Sequence, residues 1–215
     1  MVKATSASGN SLREAQKQLT LEKLIQAARG VFHSKGYNAA TIDDIVDAAG
    51  ASRGTFYLYF HSKGEVLGKI FAEEHIGGVL SLLESFPVTI TRTSLEGWIG
   101  QYLDLYQRDR LTIRAWIQAG SREAELRASS LAMMDRVLDS LAAKVLNSRK
   151  SEGLTCTKRE ARIRSLLMFV QMQEIAYYRY IREYPVNHEM AVMVVAESWY
   201  HELTGRAAEQ AASEQ

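Results

Sequence analysis

Residues 41–67 read TIDDIVDAAGASRGTFYLYFHSKGEVL, and this stretch decides the fold. Thr41 can cap a short helix with one apolar face, and Gly50 can end that helix in a left-handed turn. Ser52 can then cap a second helix, predicted over 53–60. Two short helices joined by a tight turn at 50–52 are typical of a helix-turn-helix.

The second helix has two different faces. At about 100° per residue, Phe56, Tyr59 and Phe60 share a face that can pack inward. Arg53 and Tyr57 share another face with a glycine, and no carboxylate occurs in the sequence between 47 and 65. A small, polar, cationic helix face can enter the major groove of DNA.

The residues of this outward face suggest specific contacts. Arg53 can reach a guanine edge or a phosphate, Thr55 a base methyl or a phosphate, and Tyr57 a phosphate oxygen. Gly54 would let the backbone approach the duplex closely. Lys63 begins the next helix, where its charge opposes the helix dipole, and a nearby phosphate would explain its position. The alternative is a compact three-helix core with exposed aromatic residues.

The stretch 41–67 resembles the DNA-binding domain of the TetR family of bacterial transcriptional regulators. The preceding helix also matches the family pattern, at Ala27, Ala28, Phe32 and Gly36-Tyr37. Gly64 departs from it, because glutamate or alanine often follows the lysine, and the glycine softens the first turn of that helix. The resemblance is confined to the N-terminal quarter of the chain. The predicted DNA-binding residues are Thr41, Ser52, Arg53, Gly54, Thr55, Tyr57, Tyr59, His61 and Lys63.

Helical spacing continues through the rest of the chain, which predicts an all-α protein. After a polar, mobile arm at 1–11, we expect a helix-turn-helix domain at 12–64 and a helical-bundle domain at 65–207, followed by a polar tail at 208–215. One long helix should run from Ser62 toward Pro87. Capping boxes at 93–96 and 157–160 should begin later helices, with a separate short helix at 111–118. The remaining helices should run from Ser121 to Gly153, over 158–184, and over 188–204.

The resemblance implies that the second domain binds a small effector and dimerises through its last two long helices. Aromatic and methionine side chains suit an apolar or aromatic ligand, although plain core is the usual role of such residues. The candidate effector residues are Trp98, Tyr102, Tyr106, Trp116, Met133, Met134, Phe169, Met172 and Tyr177. The helix over 158–184 is apolar on more than one face, so a second subunit could cover part of it. The candidate dimer residues are Leu167, Ile175, Tyr178, Val192, Val195 and Trp199.

The composition excludes several other classes of protein. The chain has 215 residues, of which 47% are apolar and 24% charged, and only two prolines. Its single cysteine, Cys156, rules out an intrachain disulfide and fits a reducing cytosol, so we expect a cytoplasmic protein. The longest apolar run, 190–196, is too short to span a bilayer, and the first residues contain no apolar core of a secretion signal.

The charge is nearly balanced but unevenly distributed. Net charge is +1, and residues 1–64 carry eight Lys/Arg against five Asp/Glu, which leaves a small positive excess in the first third. This excess fits either a solvated face or a nucleic-acid contact.

We expect neither a metal site nor a bound cofactor. The five histidines show no ligand spacing, and one cysteine cannot form a thiolate cluster. No phosphate loop, nucleophile elbow or HExxH motif is present, so an enzyme is not expected. The resemblance implies instead a repressor that binds a palindromic double-stranded operator as a homodimer and is released by an effector. The alternative is a helical-bundle enzyme or an adaptor protein that retains a vestigial DNA-binding domain.

Overall fold

The computed structural model describes residues 6–120 and 124–206, with side chains over 12–120 and 126–206. Every regular element in these residues is helical, which confirms the all-α prediction. The elements are α1 (Ser6–Lys35), α2 (Ile42–Ala49), α3 (Arg53–Tyr57), α4 (Lys63–Phe71), a π-helical segment (Ala72–Ile76), α5 (Gly77–Glu84), α6 (Arg92–Gly120), α7 (Ala124–Ser151), α8 (Lys158–Tyr180) and α9 (His188–Thr204).

The first helix begins earlier than predicted. Helix α1 is already formed at Ser6, whereas the sequence predicted a polar arm over 1–11, of which 1–5 lie outside the described residues. Once a helix is nucleated, each added residue gains one backbone hydrogen bond, so small polar residues can extend it. The helix ends at Lys35, and Gly36 follows with a φ of +75°. This left-handed conformation is the one that favours glycine.

The two helices of the predicted motif are present, and the second is short. Thr41 and Asp44 form a capping box at the start of α2, and Gly50 ends this helix with a φ of 62°. Helix α3 ends at Tyr57, although the sequence predicted an end at Phe60. The N–H groups of Leu58 and Tyr59 donate to carbonyls three residues back, at 3.3 and 3.0 Å, which tightens and ends the helix.

The predicted helix from Ser62 toward Pro87 is interrupted. A π-helical segment, Ala72–Ile76, separates α4 from α5. Within it, buried His75 reaches Asp109, with 3.1 Å between Nδ1 and a carboxylate oxygen. Insertions of this kind have no periodic sequence signature, and they occur often at functional sites.

Helix α6 is one element of 29 residues, not the two predicted. No proline interrupts its backbone hydrogen bonds near Leu111, so the helix continues through the predicted break. Its capping pair is also different from the predicted 93–96. The Thr91 hydroxyl accepts from the Ser94 N–H at 3.0 Å, and the Ser94 hydroxyl accepts from the Thr91 N–H at 3.0 Å.

The last three helices agree with the prediction except at some ends. The Thr157–Glu160 capping box and the Asn187 cap are both formed. Helix α8 ends at Tyr180 instead of Tyr184, and Glu183 adopts a φ of 55° just beyond it. The predicted start of α7 at Ser121 and the predicted tail at 208–215 lie outside the described residues.

Contacts divide the chain into two compact units. Of the described residues, those within 1–71 and 111–127 form the first unit, and those within 72–110 and 128–215 form the second. The predicted boundary at 64 cuts through α4, whose buried Leu67 and Ile70 belong to the first unit. The sequence also did not predict that 111–127 would join the first unit. Helix α6 therefore contributes its first part to one unit and its last part to the other.

Each unit has its own apolar core. In the first, fully or nearly fully buried side chains come from α1 to α4, namely Leu24, Ile45, Phe56, Leu67 and Ile70. In the second, they come from α5, α6 and α9, namely Leu83, Leu95, Ile99, Leu103 and Trp199.

Candidate nucleic-acid interface

The helix-turn-helix is built on two side-chain caps. Thr41 Oγ1 accepts from the Asp44 N–H at 3.1 Å, and Ser52 Oγ accepts from the Thr55 N–H at 3.0 Å. The hydroxyls of Ser52 and Thr55 lie 2.9 Å apart. These predicted DNA contacts thus already have a structural role, since each cap satisfies a helix N–H that would otherwise lack a partner.

The two faces of α3 separate as their spacing predicts. Phe56 and Phe60 are buried, with ring centroids 5.8 Å apart. Arg53, Gly54 and Tyr57 are exposed, and Tyr59, assigned to the inward face and also to the DNA-binding set, is half-buried. The helix therefore presents a small cationic surface on a rigid apolar base.

Gly54 is not required by the packing of the chain itself. A Cβ at this position would meet only Ser52 Oγ, at 3.6 Å, an ordinary contact, and the backbone is not left-handed there. An alanine would fit within the described part of the chain. The absence of a side chain is therefore useful only toward something that approaches from outside.

Arg53 lies between an acid and a phenol. Its Nη1 is 3.1 Å from each carboxylate oxygen of Asp43, on helix α2. A hydrogen bond to Tyr57 and the charge of Asp43 raise the pKa of the Arg53 guanidinium. Sequence reasoning missed Asp43, because the absence of acids between 47 and 65 says nothing about a neighbouring helix.

Lys63 has an intramolecular reason for its position. Its Nζ donates to the carbonyl oxygens of Tyr37 and Ala40, both at 2.8 Å, and lies 4.4 Å from the centre of the Tyr37 ring. The argument that its charge must be explained by a phosphate is therefore wrong. The ammonium holds the turn between α1 and α2, and a phosphate contact stays a prediction.

Two more residues complete this surface. His61 is exposed, and its backbone N–H donates to Glu65 Oε2 at 2.6 Å. Leu58, which the sequence reasoning did not single out, is 81% exposed next to Tyr57. A leucine in this position adds an apolar contact of the kind that can meet a thymine methyl group.

The predicted effector residues are mostly packed core. In the second unit, Trp98, Tyr102, Tyr106, Phe169 and Met172 are buried, and Met133, Met134 and Tyr177 are half-buried. Trp116 does not join them, because it lies in the first unit, stacked on Phe71 with centroids 4.4 Å apart. Helix α6 continues across the predicted break, which carries Trp116 into the other core.

Two fully buried side chains of the second unit each carry a polar atom without a hydrogen-bond partner among the described residues. These atoms are the Tyr102 hydroxyl and the Trp199 indole N–H. Burial also raises the pKa of the Tyr102 phenol. A buried polar group without a hydrogen bond lowers the stability of the fold, and most buried polar groups in proteins have a partner. The surface groove of about 550 Å³ between α5 and α6, which Gly78 and Arg108 help to line, contains none of the predicted residues.

The predicted dimer residues fall into two groups. Val192, Val195 and Trp199 are buried within the unit itself, which leaves them little surface for contact with a second subunit. Leu167 and Tyr178 are exposed, and Ile175 is half-buried. The sequence pattern could not separate the two faces, because α8 and α9 are apolar on both. The exposed apolar side chains define what we name the α8/α9 face: Ile163, Leu166, Leu167, Val170, Tyr178, Met190, Met193 and Val194.

The described residues contain no group of three or more His, Cys, Asp or Glu side chains that could hold a metal ion. Their helices also include none with the length and apolar character needed to cross a membrane.

Comparison with known proteins identifies the first unit. Residues 24–70 match the family described as bacterial regulatory proteins, tetR family. The uncharacterized HTH-type transcriptional regulator YvdT of Bacillus subtilis is 37% identical over a segment that covers 32% of this chain and 44% of that protein. The chain thus matches less than half the length of this curated relative.

Solved structures agree over a larger part of the chain. A transcriptional regulator from Aquifex aeolicus covers 84% of this chain and 97% of its own, with 18% identity and a TM-score of 0.62. FadR from Bacillus subtilis, in complex with stearoyl-CoA, covers 86% of this chain and 99% of its own, with 21% identity and a TM-score of 0.66. At these identities the likeness concerns the fold alone. The match over residues 24–70 assigns this segment to the tetR family of bacterial regulatory proteins, and the larger part of the chain shares the fold of these solved structures.

Proposed function

We propose that this protein is a transcriptional repressor that binds a two-fold DNA operator through α3 as a homodimer and releases it when an effector binds the second unit. The observation that carries the proposal is the outward face of α3, where exposed Arg53 and Tyr57 flank a glycine that the chain itself does not need. Because a bacterial operator lies on the chromosome, we also infer that the protein acts in the cytoplasm.

The chemistry of this face fits the major groove. Arg53 can donate to guanine O6 and N7, and the Tyr57 hydroxyl can donate to a phosphate oxygen. Gly54 keeps the helix backbone accessible between them. The buried Phe56 and Phe60 hold the helix rigid, so little ordering entropy is lost when DNA binds.

Gel shift with the DNA flanking the protein's own gene tests the proposal. We expect Arg53→Ala and Tyr57→Phe to weaken specific binding while the melting temperature stays the same, because both side chains are exposed. Lys23→Ala is the matched control, since it removes an exposed cation from α1 of the same unit. Wild-type affinity in both α3 variants would argue against DNA binding through this helix.

Dimerisation is supported by the α8/α9 face. Leu167 is 61% exposed and Val194 is 56% exposed, on two adjacent helices. An apolar patch of this kind on a globular protein marks an interaction surface. A second copy of the same face would cover it and would present two α3 helices to two half-sites, which in helix-turn-helix dimers lie roughly 34 Å apart.

Effector binding is supported by the core around Tyr102 and Trp199. A small apolar or aromatic molecule that inserts there could satisfy the phenol and the indole N–H while its body contacts Phe169 and Met172. Helix α6 carries Tyr102 in the second unit and continues as one helix to Gln118 in the first. A ligand that prefers one position of α6 would therefore shift the DNA-binding unit.

Substitution of Tyr102 tests the effector site. We expect Tyr102→Phe to leave the protein as stable or slightly more stable, because it removes an unpaired buried hydroxyl. The same variant should need more effector to release DNA. The measurement is operator release by a library of apolar and aromatic compounds, with Tyr184→Phe, an exposed tyrosine, as the control. An unchanged response of Tyr102→Phe would place the effector elsewhere.

A further inference from the structure

An ion pair on the DNA-binding surface joins the two helices of the motif. Both carboxylate oxygens of Asp43, in the first turn of α2, lie 3.1 Å from Nη1 of Arg53, the first residue of α3. Asp43 also belongs to no capping bond, since the α2 capping box uses Thr41 and Asp44. Within the described residues, the Asp43 side chain therefore has Arg53 as its polar partner.

The geometry of this pair is weaker than that of the ion pair between Arg92 and Glu197. Asp43 contacts a single guanidinium nitrogen, whereas Glu197 binds Arg92 through two, with Nε on one oxygen and Nη2 on the other. The Asp43–Arg53 side chains are 58% and 59% exposed, and those of Glu197 and Arg92 are both 31% exposed. An exposed pair without the two-nitrogen fork exchanges its partner at little cost.

The position of the guanidinium is nevertheless defined. Asp43 holds it from α2, and the exposed Tyr57 lies one turn further along α3 on the same face. Arg53 thus stands on the outward face with the remaining donors of its fork available for another acceptor. A base edge with two acceptors matches such a fork.

The charge of the pair has a second consequence. A lone arginine attracts every phosphate, whatever the sequence, and this attraction is the main term in non-specific binding. Asp43 cancels the long-range charge of Arg53 and leaves its hydrogen-bond donors in place. Paired Arg53 can therefore distinguish base edges, while it adds less to non-specific DNA affinity than an unpaired arginine would.

We propose that Asp43 is a positioning residue that sets sequence specificity, by holding Arg53 for base reading and by suppressing its attraction to phosphates. This inference rests on the proposed DNA-binding function. It predicts that loss of the Asp43 charge makes the protein bind DNA more tightly but less selectively.

The test compares wild type with Asp43→Asn, Arg53→Gln and the double variant. One measurement is the base preference obtained from a pool of duplexes with a randomised central segment. The other is the salt dependence of binding to a mixed-sequence duplex. For Asp43→Asn we expect the ratio of specific to random affinity to fall about tenfold. The salt slope of log K should steepen by about 1 for each subunit, since a free cation is gained.

The double variant shows whether Asp43 acts through Arg53. In the Arg53→Gln background, Asp43→Asn should no longer change the base preference, because coupled residues are non-additive. Asp43→Glu keeps the charge, so it should keep the wild-type salt slope while altering the base preference. Asp47→Asn is the matched control, because Asp47 is an exposed acid on the same helix, and it should leave the base preference unchanged.

Several outcomes overturn the inference. One is an Asp43→Asn variant with the base preference of Asp47→Asn. Another is an effect of Asp43→Asn that persists undiminished without Arg53. Melting temperatures of all variants separate these results from misfolding. If Asp43→Asn is unfolded, the base preference and salt slope of Asp43→Glu test the inference instead. If wild type itself enriches no sequence from the pool, the proposed function fails and this inference falls with it.

Discussion

Gln118 Oε1 accepts a hydrogen bond of 3.0 Å from the backbone N–H of Tyr37, 81 residues earlier in the chain. Both residues belong to the first unit. The same oxygen lies 3.3 Å from the position a Cβ would take at left-handed Gly36. From helix α4, Lys63 donates to the Tyr37 carbonyl at 2.8 Å. The turn after α1 is therefore held by side chains from two other helices.

The Gln118 contact should be measurable at a single amide. We expect Gln118→Ala to leave the Tyr37 N–H without its acceptor and to lower the free energy of unfolding of the first unit by about 1 kcal/mol. Hydrogen exchange at Tyr37 should become faster. Gln101→Ala is the control, because the Gln101 side chain is exposed and donates within α6, to the Gly97 carbonyl at 3.2 Å. Unchanged exchange at Tyr37 would contradict this role.

Lys63 should affect folding more than DNA binding. Because its ammonium donates to two carbonyls, we expect Lys63→Ala to lower the free energy of unfolding by about 2 kcal/mol, measured by urea denaturation. Lys23→Ala, at an exposed site on α1, should change stability little.

Salt dependence separates the two roles of Lys63. If it also contacts a phosphate, the salt slope of log K should fall by about 1 for each subunit. A loss of slope with wild-type stability would contradict the structural role and restore the phosphate as the reason for this lysine.

The core residue Trp199 should behave as a folding residue. It is fully buried and packs against Trp98, with ring centroids 5.5 Å apart. We expect Trp199→Ala to cost about 4 kcal/mol of stability through the cavity it leaves. Thermal unfolding measures this loss. A variant that melts like wild type but sediments as a monomer would show that Trp199 contributes to the subunit interface and not to the core.

A charge on the α8/α9 face should break the dimer and leave the subunit folded. Leu167→Glu and Val194→Glu each put a carboxylate where the proposed interface is apolar, and an unpaired buried charge is strongly unfavourable. We expect both variants to sediment as monomers with wild-type melting temperatures, and specific operator binding to collapse. Leu131→Glu is the control, because Leu131 is 69% exposed on α7. Dimers from both variants would show that this face is not the interface.

The α2 capping box should contribute a specific acid sensitivity. Hydrogen bonds from Lys35 and Thr41 lower the pKa of Asp44 from 3.8 to about 2. Because the folded pKa is the lower one, this stabilisation is present above about pH 4 and is lost as the pH falls toward 2. We expect the melting temperatures of wild type and Asp44→Asn to converge over that range. A constant difference would show that the Asp44 carboxylate is not the titrating group.

Local sequence signals predicted the starts of four helices. Thr41, Ser52, Thr157 and Asn187 all cap the helices that they were expected to cap. A cap is a hydrogen bond between residues three positions apart, so its signal lies within a few letters of sequence. Helix continuity was harder to predict, since nothing between 109 and 111 indicates whether one helix or two is present.

The same limit applies to the candidate site. The spacing of Phe56 and Phe60 against Arg53 and Tyr57 separated the two faces of α3, because one helix has a fixed period. It could not show that Asp43 pairs with Arg53 or that Lys63 binds the carbonyl of Tyr37, because these contacts join different elements.

The sequence by itself determined the helical class, the helix-turn-helix and its outward cationic face, since each depends on periodicity and on caps within one element. Only the tertiary structure decided which apolar faces of α8 and α9 are core and which are exposed. Both faces carry the same residue types, and burial depends on what packs against them. For that reason Trp199 lies inside the second unit, and Leu167 remains on its surface.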